Sequence, residues 1–204
     1  MIPNEIVAVI ASAVVAYLLG SLPFAVFVAK LAGVDIFKVG TGNPGASNVF
    51  RKVGRRYGAV VFGLDIAKGT LAVVVAVLIG CPDLFLPVAS AFAIVGHWLP
   101  MFTGFKGGAG LATGVGIGVA LIGIWGLVAA AAGLAALPII KDGPRSAAVT
   151  LVVAIVAAFL TGPNWIALGG MVLILAMLVG RLFLVEFPKD RRGDRPEPHV
   201  WNRR

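Results

Sequence analysis

The sequence predicts an all-α integral membrane protein of about seven transmembrane helices with glycine-rich cytoplasmic loops, and three observations predict it. Of 204 residues, 59% are apolar and 13% charged, whereas soluble domains hold about 45–50% apolar and about 25% charged residues. The mean hydropathy is +1.00, and the apolar residues gather in runs long enough to cross a hydrocarbon core of about 30 Å. The 17 Lys and Arg outnumber the 9 Asp and Glu, a formal net charge of +8, and they cluster between the runs. Basic residues beside apolar spans mark the cytoplasmic side. No basic stripe interleaved with aromatics sits on a soluble face, so nucleic acid is not an expected partner. A lone Cys81 excludes an intrachain disulfide and a cysteine-only zinc site. The acids are scattered and no nucleotide fingerprint stands in a strand-to-helix context, so neither a metal nor another cofactor is expected.

The first run, Ile6 to Val28, follows no basic segment, is too long for a signal-peptide core and lacks a small-residue cleavage pattern, so it reads as a retained span. Further runs follow at Val60 to Gly80, Leu84 to Met101, Leu111 to Leu137, Ala147 to Thr161 and Trp165 to Phe187, separated by Gly, Pro and charges. At 27 residues, Leu111 to Leu137 would be about 40 Å as one helix, too long for a single pass, yet each half is short for two. Charge placement decides for two, with a break near Gly123 or Gly126. Every segment bearing Lys or Arg (30–56, around Lys106, 141–145 and the tail) then falls inside, and the outer loops keep only Glu5 and Asp83. The N-terminus is outside and the C-terminus cytoplasmic. Residues 1–187 form one multi-span domain, and 188–204 a charged cytoplasmic tail.

Three polar stretches interrupt this pattern. The first is Asp35-Ile-Phe-Lys-Val-Gly-Thr-Gly-Asn-Pro-Gly-Ala-Ser-Asn-Val-Phe-Arg51. Its glycines, Gly40, Gly42 and Gly45, free backbone amides to turn toward a ligand. Thr41, Asn43, Ser47 and Asn48 add neutral donors and Arg51 a planar cationic fork, an inventory that suits a phosphate. Taken alone, the stretch reads equally well as a Gly/Pro/Asn turn between spans. The second, Gly96 to Gly114, places His97 at the inner end of a span, Lys106 nine residues later, and Gly107, Gly108 and Gly110 at the opening of the next helix. Exposed amides at a helix start suit an anion. Singly, His97 reads as well as an interfacial histidine and Lys106 as a snorkelling lysine. The third is Asp65 and Lys68, three apart on one face of the second span, where a charged pair inside a span neutralises itself and braces the helix packing beside a site.

Gly20-Ser-Leu-Pro-Phe24, Gly40 to Arg51, Leu64-Asp-Ile-Ala-Lys-Gly69, Gly96-His-Trp-Leu-Pro100 and Phe105 to Gly114 together resemble, in order and spacing, the bacterial acyl-phosphate:glycerol-3-phosphate acyltransferases of the PlsY type. The resemblance runs over about residues 16 to 116. It implies a multi-pass enzyme of the bacterial cytoplasmic membrane, its site facing the cytoplasm. The enzyme would move a fatty acyl group from acyl phosphate to the 1-hydroxyl of glycerol 3-phosphate, giving lysophosphatidic acid for phospholipid synthesis. The substrates and the lipid bilayer are then the expected partners, and a contact with the soluble enzyme that makes acyl phosphate is an expected further one. Carried over, His97, Arg51 and Lys106 are the catalytic residues. Thr41, Gly42, Asn43, Ser47, Asn48, Gly107, Gly108 and Gly110 are the substrate-binding ones. The chain departs from the family pattern at Ala109, where a lysine is usual, and near its end, where Glu186 does not match the usual surroundings of a closing Asn/Glu motif. These departures keep two rivals open: a non-catalytic relative that binds or transports lipid or phosphate, and an acyltransferase for another phosphorylated substrate. A transporter should show duplicated hydropathy halves, and no such duplication is present.

Overall fold

The computed structural model describes residues 3–140, 143–160 and 164–181, and these residues contain helices and turns only. Expectations that fall on Lys141, on the end of the last run or on the tail, including Glu186, lie outside the described residues. The helices are α1 (Pro3–Gly20), α2 (Phe24–Leu31), α3 (Ala46–Lys52), α4 (Arg55–Ile79), α5 (Leu86–Trp98), α6 (Leu111–Ile122), α7 (Ile124–Ile140), α8 (Gly143–Leu160) and α9 (Trp165–Arg181). By length and composition, Asn4–Leu31, Arg55–Ile79 and Asp83–Thr103 are long and apolar enough to cross a membrane, while Leu111–Ile122, Ile124–Gly133 and Trp165–Arg181 are shorter apolar helices.

The outward faces show the solvent this fold is built for. Val7, Ile10 and Val14 on α1 and Val74, Val77 and Leu78 on α4 are exposed, Leu78 to 79%. Apolar faces of this extent do not persist in water, and they match a hydrocarbon surround. The interior is made of small residues: Ala16, Ala72, Ala76, Ala89 and Ala93 are buried together with Ile94, Ile117, Met171 and Ile174. Two crossings depend on glycine. A Cβ at Gly96 of α5 would run into the Tyr17 carbonyl of α1, and one at Gly116 of α6 into the Ile66 carbonyl of α4. Where lipid leaves little hydrophobic drive between helices, such backbone proximity supplies the packing.

The chain departs from its apolar pattern at two places. The first apolar run is not one helix: α1 stops at Gly20 and α2 starts at Phe24. Pro23 has no N–H to continue the ladder and pushes Leu22 out of helical geometry. The carbonyl of Leu22, freed by the break, accepts a hydrogen bond from Lys68 Nζ of α4 at 2.9 Å. The second is Gly123, one of the two positions at which the charge argument places a break, with φ 57° between α6 and α7. Seven residues along a continuous helix lie about 10 Å apart, yet a Cβ at Gly126 would fall 2.5 Å from Val119 Cα. The chain therefore reverses at Gly123, and α7 returns along α6.

Candidate active site

The two glycine-rich loops leave the bundle at the same end as the α1–α2 break. In the first, buried Asn48 organises the backbone. Its amide nitrogen lies 3.0 Å from the Val39 carbonyl, 3.1 Å from that of Asn43 and 3.4 Å from that of Ile36. Its Oδ1 accepts the Thr41 N–H at 3.3 Å. Gly40 and Gly42 have φ of 59° and 68°, the left-handed region that side chains disfavour. Asn48 thus spends its side chain on the loop itself, whereas Thr41, Ser47 and Arg51 are exposed. Ser47 and Arg51, four apart on α3, share one face.

The second loop begins where α5 ends at Trp98. The Phe105 N–H closes a turn on the Pro100 carbonyl at 3.0 Å, with Gly104 and Phe105 both left-handed at φ 61° and 63°. Such a conformation at phenylalanine costs about 1–2 kcal/mol. It follows that the surroundings hold this turn firmly, and Thr103 Oγ1 adds a hydrogen bond to the Lys106 carbonyl at 3.0 Å. From Lys106 the chain runs without regular structure to Gly110, whose φ of 88° opens α6. Trp98 Nε1 donates to the Ala109 carbonyl at 2.9 Å. Arg181 Nη2 of α9 lies 3.5 Å from the Gly107 carbonyl, and its guanidinium sits 5.2 Å over the Trp98 ring. Among the described residues, no backbone N–H from Lys106 to Gly110 donates to a protein acceptor. Donors left free in this way are matched to an acceptor from outside the chain.

Behind the loop lies a buried polar cluster. Asp65 Oδ1 and Lys68 Nζ are 2.9 Å apart with both side chains 3% exposed, and Lys68 also lies 5.7 Å from the Phe24 ring centroid. His97 Nδ1 is 3.1 Å from Thr113 Oγ1 and 3.9 Å from Asp65 Oδ1. Its other nitrogen, Nε2, faces the loop, 2.6 Å from where a Cβ on Gly108 would stand. Asp65, Lys68, His97, Pro44, Lys106, Gly107 and Gly108 line an open cavity, closed on the other side by Leu22 to Val26. Within it, Lys106 is the exposed cation, and the wall contains no Ser, Thr or Cys.

Residues 10–190 match the model of a family described as glycerol-3-phosphate acyltransferase. The chain belongs to that family. A glycerol-3-phosphate acyltransferase of Agrobacterium fabrum is 36% identical over 90% of this chain and 85% of its own length. One of Aquifex aeolicus is 47% identical over 50% of this chain and 54% of its own. Alignments with several such relatives therefore span about half their length. Among solved structures, the glycerol 3-phosphate form of PlsY (YgiH), an integral membrane glycerol 3-phosphate acyltransferase, superposes with a TM-score of 0.79 at 31% identity, covering 92% of this chain and 94% of that one. The lysophosphatidic acid form superposes with a TM-score of 0.76. This chain is accordingly an all-helical integral membrane protein of the acyltransferase family.

Of the residues that sequence singles out, the fold brings His97, Lys106, Gly107 and Gly108 to one cavity wall. Gly110 stands just behind, as the residue before α6. Thr41, Gly42 and Asn43 belong to the neighbouring loop and Ser47 and Arg51 to α3 just after it, a segment that meets the cavity through Pro44. The Pro44 carbonyl lies 3.0 Å from where a Gly108 Cβ would be. Asp65 and Lys68, read from sequence as bracing beside a site, form the ion pair expected and also face the cavity. Thr113, Trp98 and Arg181 gave no signal of their own. A threonine inside an apolar helix and a tryptophan at a helix end are ordinary membrane residues, and only the fold sets them against His97 and the loop.

Proposed function

We propose that this chain transfers a fatty acyl group from an acyl phosphate to the 1-hydroxyl of glycerol 3-phosphate, giving lysophosphatidic acid and inorganic phosphate. The observation that carries this reading is the run of unpartnered amides from Lys106 to Gly110 beside an exposed lysine and the free nitrogen of His97. The superposition on the glycerol 3-phosphate form of PlsY supports it. An acyl phosphate is already activated, so the protein has to hold two phosphate groups and aim one hydroxyl at the carbonyl carbon. The oxygen–carbon ester bond forms as the acyl carbon–phosphate oxygen bond breaks, and phosphate leaves with that electron pair. A cavity wall without Ser, Thr or Cys suits such a direct transfer, since no enzyme nucleophile intervenes.

Lys106, Arg51 and the loop amides bind the phosphates and offset charge growing on the carbonyl oxygen and the leaving group. Thr41, Gly42, Asn43 and Ser47, which flank Pro44 outside the cavity wall, add donors for a phosphate at its mouth, with Asn48 holding that segment in shape. His97, its Nδ1 occupied by Thr113, presents Nε2 to orient the attacking hydroxyl or accept its proton, a task a substrate phosphate can share. Purified protein in lipid, given radiolabelled glycerol 3-phosphate and either palmitoyl phosphate or palmitoyl coenzyme A, is expected to form lysophosphatidic acid from the acyl phosphate alone. Product from the thioester would overturn the donor assignment. No product from either, with glycerol 3-phosphate still bound, would favour the non-catalytic reading.

The site faces the cytoplasm of a bacterial inner membrane, with seven crossings and the N-terminus outside. The clustering of Lys30, Lys38, Arg51, Lys52, Arg55, Arg56 and Lys106 at the loop end supports this, as does the return of α7 after Gly123. Single cysteines introduced by Lys38→Cys or Gly143→Cys in a Cys81→Ala background are expected to react with an impermeant maleimide only after the inner face is opened. Labelling of either in intact cells would break the topology.

A further inference from the structure

Resting on the reading of the Lys106–Gly110 loop as a phosphate site, we infer that Trp98 and Arg181 are positioning residues. They draw the carbonyls of Gly107 and Ala109 to one side and so aim the amides of Gly108 and Gly110 at a substrate phosphate. The peptide bonds here are trans, and in a planar trans peptide the C=O of one residue and the N–H of the next point in opposite directions. The Gly107 carbonyl faces Arg181 Nη2 at 3.5 Å and the Ala109 carbonyl faces Trp98 Nε1 at 2.9 Å. Arg181 stacks on Trp98 at 5.2 Å, so both carbonyls are held from the same side. The next two amides, those of Gly108 and Gly110, must then point away from that pair. Neither has a protein acceptor among the described residues.

Glycine makes the loop an unreliable anion site unless something fixes it, because a chain without Cβ atoms turns its peptide planes freely. The loop glycines are required by space: a Cβ on Gly107 would collide with the His97 and Trp98 carbonyls, and one on Gly108 with His97 Nε2. Their conformational freedom therefore has to be removed from outside. Two donors on the back of the loop do this, one from the end of α5 and one from the end of α9, and the second ties a helix remote in sequence to the phosphate site. Trp98 and Arg181 touch no substrate in this arrangement and act through the direction of the amides.

The test is Trp98→Phe, which deletes the indole N–H and keeps an aromatic ring beneath Arg181, with Arg181→Met and Gly108→Ala measured beside it. KM is taken separately for glycerol 3-phosphate and for acyl phosphate. Trp98→Phe is expected to raise one of the two KM values about threefold to tenfold, the worth of one neutral hydrogen bond, while kcat changes less. Arg181→Met should move the same KM in the same direction. Gly108→Ala should raise that KM further, and adding Trp98→Phe to it should then change little, because both act through one loop. An unchanged KM for both substrates in Trp98→Phe and Arg181→Met, with Gly108→Ala still impaired, overturns the positioning role and leaves the loop as a phosphate site. Fully additive effects overturn it as well. If Gly108→Ala is also unimpaired, the reading of the loop falls, and the positioning role with it. Should Trp98→Phe not fold, Arg181→Met alone and combined with Gly108→Ala decides on the same criteria.

Discussion

Asp65→Asn is expected to destabilise the folded protein by about 3–5 kcal/mol, because it removes one partner of a buried ion pair and leaves the other charged. Asp65 and Lys68 have side chains 3% exposed and approach to 2.9 Å. Lys68 Nζ also meets the Leu22 carbonyl at 2.9 Å and the Phe24 ring at 5.7 Å. A carbonyl and an aromatic face attract a cation but do not neutralise it. For a soluble domain of this size such a loss would lower Tm by roughly 6 to 20 °C, and thermal unfolding in detergent measures it. The joint change Asp65→Leu with Lys68→Met should recover most of the loss, since replacing both charges by apolar groups is tolerated where breaking the pair is not. Recovery should be incomplete, because the Leu22 carbonyl at the α1–α2 break then loses its charged donor and keeps only the Phe24 N–H at 3.1 Å. An unchanged Tm in Asp65→Asn would show that the pair is not what braces α4 against that break.

The bundle was legible in this sequence because lipid imposes one demand that composition records directly: apolar runs of sufficient length, with cations kept to one side. Charge placement, which asked for a break near Gly123 or Gly126 where length alone was ambiguous, pointed to the interruption between α6 and α7 at Gly123. The break at Pro23 was hidden, since Leu22 to Phe24 continue the apolar run and hydropathy does not register a missing N–H. The loops were legible as glycine and polar punctuation, but polarity carries no direction. Asn48 and Ser47 are adjacent donors in the sequence, yet in the fold one is buried, tying four backbone groups together, and the other is exposed. Trp98, Thr113 and Arg181 stayed invisible for the opposite reason. Each belongs by type to a membrane helix or its end, and its work depends on partners between 11 and 74 residues away.

The largest functional effect is expected at Lys106. Its side chain is exposed at the cavity rim, and its position in the loop is set through its own carbonyl, which Thr103 Oγ1 holds at 3.0 Å. Lys106→Ala therefore removes a cation from the proposed phosphate site without opening a cavity in the core, and the variant should unfold at the parent temperature. In the proposed reaction the cation acts on the phosphates and on the charge that grows as the acyl–phosphate bond breaks, so both binding and the chemical step are expected to lose by its removal. The expected loss is about 10²–10³ in kcat/KM, the range found when one preorganised donor to a developing anion is deleted. Lys106→Arg keeps the charge but replaces a point cation by a broad planar fork, and should recover part of the activity with a raised KM. Ala109 gives the effect its size. The loop has one lysine where the family pattern has two, so no neighbouring lysine within Gly107–Gly110 can stand in for it. A loss below about threefold in Lys106→Ala, measured with both substrates saturating and with each limiting in turn, would place the phosphate-binding cation elsewhere. Arg51 on α3 would then be the next residue to replace.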